Sequence, residues 1–153
     1  MKRSVLLLVA VAVALLLVSG VAVARTFHCN GGLCRGTNSN DTMYGSGGRD
    51  TIYSLRGADL VRGNGGADSV NGDGGRDRLS GGNGDDQVNG GDDDDVVIGN
   101  DGNDALNGGN GDDRVEAVDG EFDAISCGHG THDIVFFDRG LDHVRNCEVK
   151  RPQ

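Results

Sequence analysis

Residues 81–98 read GGNGDDQVNGGDDDDVVI and divide into two nine-residue units, 81–89 and 90–98. Each unit starts with two glycines, has an aspartate in sixth place and a valine in eighth. Six carboxylates in so short a segment repel one another, whereas a valine between polar residues is typical of a half-buried strand. The segment therefore folds only if something compensates for its negative charge.

The same unit recurs along most of the chain. Its sixth-place aspartates are nine residues apart throughout, at positions 41, 50, 59, 68, 77, 86, 95, 104 and 113. An apolar residue follows each aspartate by two places, and glycine usually precedes it by two and by five. The spacing then stretches by one residue to Asp123 and again to Asp133, and the pattern ends at Asp142. A fixed period of this kind indicates a repeat architecture.

The unit G-G-x-G-x-D-x-U-x, in which U is a large apolar residue, resembles the nonapeptide repeat of the RTX family of secreted calcium-binding proteins. The resemblance is strong over residues 36–116 and loose over 117–144. It implies an all-β fold, a parallel β-roll or β-solenoid. In this fold each glycine-rich half forms a turn, each x-U-x forms a short strand, and two repeats complete one coil.

The residue types are compatible with this geometry. Glycine adopts positive φ angles without strain, and alternate residues of a strand face opposite sides. Twelve repeats would give six coils and a rod about 28 Å long at the usual strand spacing of about 4.8 Å. Its core would be one thin row of apolar side chains per face, which is little for a domain of this size.

Stacked coils place the aspartates in two columns, one along each edge of the rod. Ca²⁺ would relieve the repulsion, because it takes six to eight oxygen ligands from carboxylates and carbonyls. Mg²⁺ suits such loops less well, and no EF-hand loop is present. Aspartates that only cap turns are the alternative, but asparagine never replaces aspartate in nine consecutive repeats.

The resemblance implies that calcium lies between neighbouring turns, held by turn carbonyls and the sixth-place aspartate. The predicted metal ligands are Asp50, Asp59, Asp68, Asp77, Asp86, Asp95, Asp104, Asp113, Gly82, Gly84, Gly91, Gly102, Gly109 and Gly111. We expect the tightest sites between Asp77 and Asp113. Loops 36–41 and 54–59 depart most from the repeat, and Arg49 and Arg76 should weaken nearby ions.

The first 24 residues have the features of a secretory signal peptide: Lys2 and Arg3, an apolar run, and the small-residue site 22–24. An uncleaved membrane anchor is the alternative. Removal of residues 1–24 changes the net charge from −10 to about −12. Such a charge disfavours nucleic acid and anionic membranes as partners. The prediction is a secreted, extracellular protein with no membrane span after cleavage.

Four cysteines in an exported chain predict two disulfides, with three possible pairings. We favour Cys29–Cys34 and Cys127–Cys147, because the second pair follows equivalent aspartates two repeats apart. Residues 25–35 and 117–153 would then form disulfide-closed caps at the rod ends. A transition-metal site in CGHGTHD, 127–133, is a weaker alternative.

The motifs give no indication of catalysis, because neither H-E-x-x-H nor G-x-S-x-G occurs. The sequence therefore predicts a non-enzymatic calcium-binding protein whose folding is triggered by Ca²⁺. A surface adhesion or structural module with a metal-independent turn ladder is the alternative. The outward strand positions form no regular threonine ladder, and the sequence does not identify a protein or glycan partner.

Overall fold

The computed structural model describes residues 23–153, and these residues form parallel β-strands joined by short turns. The strands are β1 (Thr26–His28), β2 (Gly32–Arg35), β3 (Thr42–Tyr44), β4 (Asp50–Tyr53), β5 (Leu60–Gly65), β6 (Ser69–Gly74), β7 (Arg78–Asn83), β8 (Gln87–Asp92), β9 (Val96–Ile98), β10 (Ala105–Asn110), β11 (Arg114–Ala117), β12 (Ala124–His129), β13 (Ile134–Phe137), β14 (His143–Arg145) and β15 (Val149–Pro152).

Each strand pairs with the strand two places along the chain. The odd-numbered strands form an eight-stranded sheet and the even-numbered strands a seven-stranded sheet, both in sequential order. Met43 pairs with Val61, and Val61 pairs with Leu79, so one coil contains eighteen residues. The predicted parallel β-roll is confirmed.

Two details differ from the sequence-based expectation. The rod has about seven turns rather than six, because β1, β2 and β15 extend the sheets beyond the recognisable repeats. Several strands also contain six residues rather than three. In these longer strands the first residues of the following glycine-rich turn continue the backbone pairing between coils; for example, Asn64 pairs with Gly82.

The core is one row of apolar side chains beneath each sheet. The eighth-place residues of the repeats fill both rows and are at most 2% exposed. They are Met43, Ile52, Val61, Val70, Leu79, Val88, Val97, Leu106, Val115, Ile125 and Val135. Because this core is so narrow, the turns at the edges contribute much of what holds neighbouring coils together.

Disulfides lie near both ends of the rod, with the predicted pairings. Cys29 is bonded to Cys34 and Cys127 to Cys147, with Cα–Cα distances of 5.7 Å and 5.1 Å. The proposed N-terminal cap, 25–35, supplies β1 and β2 and so continues the coil. The predicted signal peptide, 1–24, lies outside the described residues apart from its last two positions. No helix within residues 23–153 is long and apolar enough to cross a membrane.

Candidate metal centre

The turns that join the two sheets stack into two edges of the rod. We number the positions of each six-residue turn from 1 to 6, with the repeat aspartate last; in the seven-residue turns 117–123 and 127–133, position 1 is the residue that aligns with position 1 of the preceding coil. One edge contains Asp41, Asp59, Asp77, Asp95, Asp113 and Asp133, and the other contains Asp50, Asp68, Asp86, Asp104, Asp123 and Asp142. From Asp41 to Asp133 these residues are at most 3% exposed. The aspartates thus point into the rod rather than into solvent.

One carboxylate oxygen of every repeat aspartate except Asp50 accepts a bond in a hydrogen-bond ladder between coils. The backbone N–H of Asp77 donates to Oδ1 of Asp95 at 2.8 Å, and that of Asp95 donates to Oδ1 of Asp113 at 2.9 Å. The same bond recurs on both edges over distances of 2.6–3.0 Å. From Asp59 to Asp133 the aspartates therefore do cap turns, but they cap the turn of the preceding coil and use only one oxygen; the other three, Asp41, Asp50 and Asp142, accept bonds within their own turns.

The second oxygen of most of these aspartates is buried and lacks a donor. Within residues 23–153, no hydrogen bond reaches Oδ2 of Asp59, Asp68, Asp77, Asp86, Asp95, Asp104, Asp113, Asp123 or Asp133. A buried carboxylate oxygen left unpaired costs more than about 1–3 kcal/mol. Such a regular series of unpaired oxygens calls for a ligand.

The unpaired oxygen faces the glycine at position 1 of its own turn. A Cβ atom built on Gly63 would lie only 2.5 Å from Oδ2 of Asp68 and would also overlap the carbonyl oxygen of Gly81 on the next coil. We call this space the carboxylate slot: it is bounded by position 1, by Oδ2 of the same turn and by the position-1 carbonyl of the next coil.

Equivalent slots lie at the other position-1 glycines of the central repeats. At Gly72, Gly90 and Gly108 a Cβ would overlap both kinds of oxygen, and at Gly81 and Gly99 it would overlap the carboxylate. Only glycine, which has no Cβ, lets these oxygens approach the position-1 Cα so closely. Converging carboxylate and carbonyl oxygens are the donor set that a hard cation such as Ca²⁺ requires, so the residues fit the ion.

The predicted glycine ligands lie at positions 2 and 4 of the turns. Gly82, Gly91 and Gly109 occupy position 2, and Gly84, Gly102 and Gly111 occupy position 4. All six have φ between 115° and 139°. A Cβ at any of them would overlap a backbone carbonyl of the preceding coil. These glycines therefore permit close stacking, and a ligand role for their carbonyls remains a prediction.

The surroundings of the carboxylates in the central coils disfavour the ionised form. Burial, and to a smaller extent the charges of Asp59 and Asp95, raise the pKa of Asp77 to about 8, although the hydrogen bond from the Asp59 N–H lowers it. Burial likewise raises the pKa of Asp95 and Asp104 to about 7. Bound cations favour the ionised form of such groups, so the slots are arranged to gain from a divalent ion.

Asp50 and Asp59, both predicted ligands, differ from the central set. Oδ2 of Asp50 accepts bonds from the Ser46 backbone N–H at 2.6 Å and from its hydroxyl at 2.8 Å, and the donorless oxygen is Oδ1. Beside Asp59 the position-1 residue is Ser54 rather than glycine, and its side chain is fully buried. The remaining predicted aspartates, from Asp68 to Asp113, share one arrangement.

A second ladder, at position 5, was not anticipated from the sequence. Asp94 pairs with Arg76 and accepts the Asp112 N–H at 3.1 Å on the next coil. Asp85 accepts the Asn103 N–H at 3.0 Å in the same way. These exposed residues brace adjacent coils without an ion. The sequence does carry an indication of this outer ladder in the acidic pairs 85–86, 94–95 and 112–113. Two adjacent acidic residues cannot both face inward, so the first of each pair must lie on the surface.

Side chains alone do not form a metal site in the part of the chain that the structure describes. No group of three or more His, Cys, Asp and Glu side chains lies close enough to hold an ion there. In segment 127–133, Cys127 is bonded to Cys147, and His132 lies beside Asp112 on the surface. Backbone carbonyls must therefore supply part of any coordination shell.

Comparison with protein families agrees with this geometry. The model described as RTX calcium-binding nonapeptide repeat matches the chain in four overlapping copies, over residues 35–70, 53–88, 62–97 and 80–115. Together these copies cover residues 35–115, more than half of the chain. No curated protein and no solved structure gives a significant match.

Proposed function

Since the chain belongs to the family of RTX calcium-binding nonapeptide repeat proteins, we propose that it is a secreted calcium-binding β-roll whose folding is triggered by Ca²⁺. The observation that carries this proposal is the series of buried Oδ2 atoms that have no donor within the described chain and that, in the central turns, converge with carbonyl oxygens at the position-1 glycines. The ion supplies the positive charge that these oxygens lack.

The energetics favour an ion-dependent fold. Ordering the backbone costs about 1–2 kcal/mol per residue, and glycine loses the most freedom. Each nine-residue repeat buries one apolar side chain, which returns about 1.5–3 kcal/mol. Net hydrogen-bond contributions are about 1 kcal/mol each. Ionised carboxylates inside the apo rod add a further cost, so the ion-free chain is expected to be largely unfolded.

Calcium shifts this equilibrium by binding the folded form alone. An ion that binds only the native state stabilises it by mass action, and several sites add their contributions. Extracellular calcium modules of this class respond at about 10⁻⁴–10⁻³ M. A rod with such affinities would stay unfolded in a low-calcium cytosol and would fold after export.

The location outside the cell is part of the proposal. The predicted signal peptide supports it, and two disulfides within the rod fit an oxidising compartment. The folded rod would act as a binding or structural module and not as an enzyme. The residues proposed to hold the ions are the aspartates from Asp68 to Asp113 together with turn carbonyls.

Circular dichroism of the mature chain tests the proposal. The far-UV spectrum should show little β-structure in chelator at pH 8 and a β-rich fold in millimolar Ca²⁺, with Mg²⁺ at the same concentration giving a much weaker change. A chain equally β-rich in chelator and in Ca²⁺ would contradict calcium-triggered folding. It would favour the metal-independent turn ladder instead, for which the two hydrogen-bond ladders at positions 5 and 6 provide a basis.

A further inference from the structure

We propose that the chain's own side chains close the carboxylate slots of the terminal coils, so that ions are confined to six central slots, three on each edge. This inference rests on the proposed calcium binding but concerns different residues. It assigns a role to Thr37, Ser46, Ser54, Ala117 and Cys127, which close the slots in three different ways.

The first device is a hydroxyl at position 2. In turn 36–41, Oδ2 of Asp41 accepts the Thr37 N–H at 2.6 Å and the Thr37 hydroxyl at 2.8 Å. Ser46 makes the same two bonds to Asp50. The carboxylate oxygen is drawn away from position 1: it lies 3.0 Å and 3.1 Å from a Cβ built on Gly36 and Gly45, against 2.5 Å at Gly63 and less in the other five central turns.

The backbone at position 2 decides between the closed and open forms. Neither Thr37 nor Ser46 has a positive φ, and their N–H groups point at the aspartate of their own turn. In the central turns position 2 is in the left-handed region, as at Asn64 with φ of 77° and Asp73 with φ of 69°. Glycine, asparagine and aspartate tolerate this region, whereas a β-branched threonine resists it.

The second device is a hydroxyl at position 1. Ser54 is completely buried, and its hydroxyl donates to the carbonyl oxygen of Gly72 at 2.9 Å. This carbonyl is the one that bounds the slot from the next coil. The serine thus puts a side chain at position 1 and donates to the carbonyl oxygen that would otherwise face an ion, while Oδ2 of Asp59 still has no donor within the described chain.

The third device closes the C-terminal coils with apolar groups at position 1. Ala117 aligns with Gly99 and is completely buried, because β11 pairs with β9 in continuous register. Cys127 aligns with Gly108 in the same way and is also completely buried. Each of these residues carries a Cβ at the position where the central turns have glycine, so the carboxylate and carbonyl oxygens cannot converge there as they do in the central turns, although Oδ2 of Asp123 and Asp133 also has no donor within the described chain.

The open slots that remain are contiguous on each edge. One edge has slots at Gly72, Gly90 and Gly108, and the other at Gly63, Gly81 and Gly99. Closed turns flank them on both sides: Thr37, Ser54 and Cys127 on the first edge, Ser46 and Ala117 on the second. Ion binding is therefore limited to the central coils, while the ends are held by groups that are always present.

Native mass spectrometry of the folded mature protein in excess Ca²⁺ tests this inference by counting ions. We expect six ions for the wild type and seven for Ser54→Gly, which opens a slot between Asp59 and Gly72. Ser54→Ala is the matched control, because it removes the hydroxyl but leaves a methyl in the slot, and it should retain six.

Gly90→Ser makes the converse test, since it copies Ser54 onto an open turn and should lower the count to five. It keeps the inference testable if Ser54→Gly does not fold. A wild-type count above six, an unchanged count in Ser54→Gly, or an unchanged count in Gly90→Ser would overturn the inference. A wild type that binds no calcium would instead overturn the proposed function.

Discussion

The substitution Asp95→Asn separates two roles of the buried aspartate, which are to accept a hydrogen bond at Oδ1 and to bind an ion at Oδ2. The amide keeps an oxygen for the Asp77 N–H, which now donates to Oδ1 at 2.8 Å. It replaces the donorless Oδ2 with an NH₂ group that can donate to a carbonyl oxygen. The variant should therefore keep the ladder and lose the ion at this slot.

The substitution should change the free energy of unfolding differently in the absence and in the presence of bound calcium. Burial raises the pKa of Asp95 from 3.8 to about 7. One pKa unit corresponds to about 1.4 kcal/mol, so ionising this group in the apo rod costs at most about 4 kcal/mol. Solvent screening at the edge reduces this to about 2 kcal/mol. The ion-free form of Asp95→Asn should be more stable than the wild type by about that amount at pH 8.

Above saturation, each bound ion adds about 1.4 kcal/mol to the free energy of unfolding per tenfold rise in Ca²⁺. Six ions give a slope of about 8 kcal/mol per decade, and five give about 7. Asp95→Asn should therefore show the shallower slope. Asp94→Asn is the matched control, because it removes the same charge from an exposed neighbour that pairs with Arg76. Asp94→Asn should change the free energy of unfolding by less than about 1 kcal/mol at every Ca²⁺ concentration and leave the slope unchanged.

Urea unfolding at pH 8, repeated over 3–30 mM Ca²⁺, gives these slopes. Equal slopes for wild type and Asp95→Asn would refute the assignment of Oδ2 as a ligand. A slope reduced to the same extent by Asp94→Asn would refute the placement of position 5 outside the slot.

Three further outcomes are expected. In chelator the chain should gain β-structure as the pH falls from 8 to 5.5, because the pKa of Asp77, about 8 in the rod, lies above its unfolded value of 3.8. Stability from such groups is complete below the unfolded pKa and is lost as the pH rises through the folded one, and far-UV circular dichroism at the two pH values checks the sign. Gly91→Ala should lower the free energy of unfolding in Ca²⁺ by more than about 2 kcal/mol, because φ is 122° and a Cβ would overlap the Asp73 carbonyl; Gly47→Ala, with open space around it, should change it by less than about 0.5 kcal/mol. The intact mass of the exported protein should correspond to a chain that begins at Arg25, whereas a species that retains residues 1–24 would indicate an anchor.

The architecture could be predicted because it depends on a period. An aspartate every ninth residue, with an apolar residue two places later, determines which side chains share an edge and which fill the core. The second disulfide followed from the same period, since Cys127 and Cys147 lie at nearly equivalent places of adjacent coils. The extra coils were missed because residues 26–35 carry neither the aspartate nor the spacing of the repeat.

The division between open and closed slots could not be predicted from the pattern. The loop that contains Ser54 was recognised only as a departure from the repeat, and Ser46 was not singled out, because a small polar residue is compatible with almost any turn. Whether its hydroxyl reaches the aspartate depends on one backbone φ angle and on the position of the next coil. The outer ladder of Asp85 and Asp94 was missed for a related reason, since it joins residues eighteen apart that have no local relationship.

The offset of eighteen residues between paired strands, which is constant from β2 to β11, also bears on inheritance. Val70 pairs with Val88, and Val88 pairs with Leu106, in the same register as the other strands of this part of the rod. A recombination event that adds or removes one whole central coil therefore joins surfaces that already match, so it creates no new kind of interface. It changes the length of the rod by one coil and the number of slots by two. Loss of a single nine-residue unit would exchange the two edges beyond the break. Such a gene can vary in length in steps of fifty-four nucleotides, and each step yields a rod of the same cross-section.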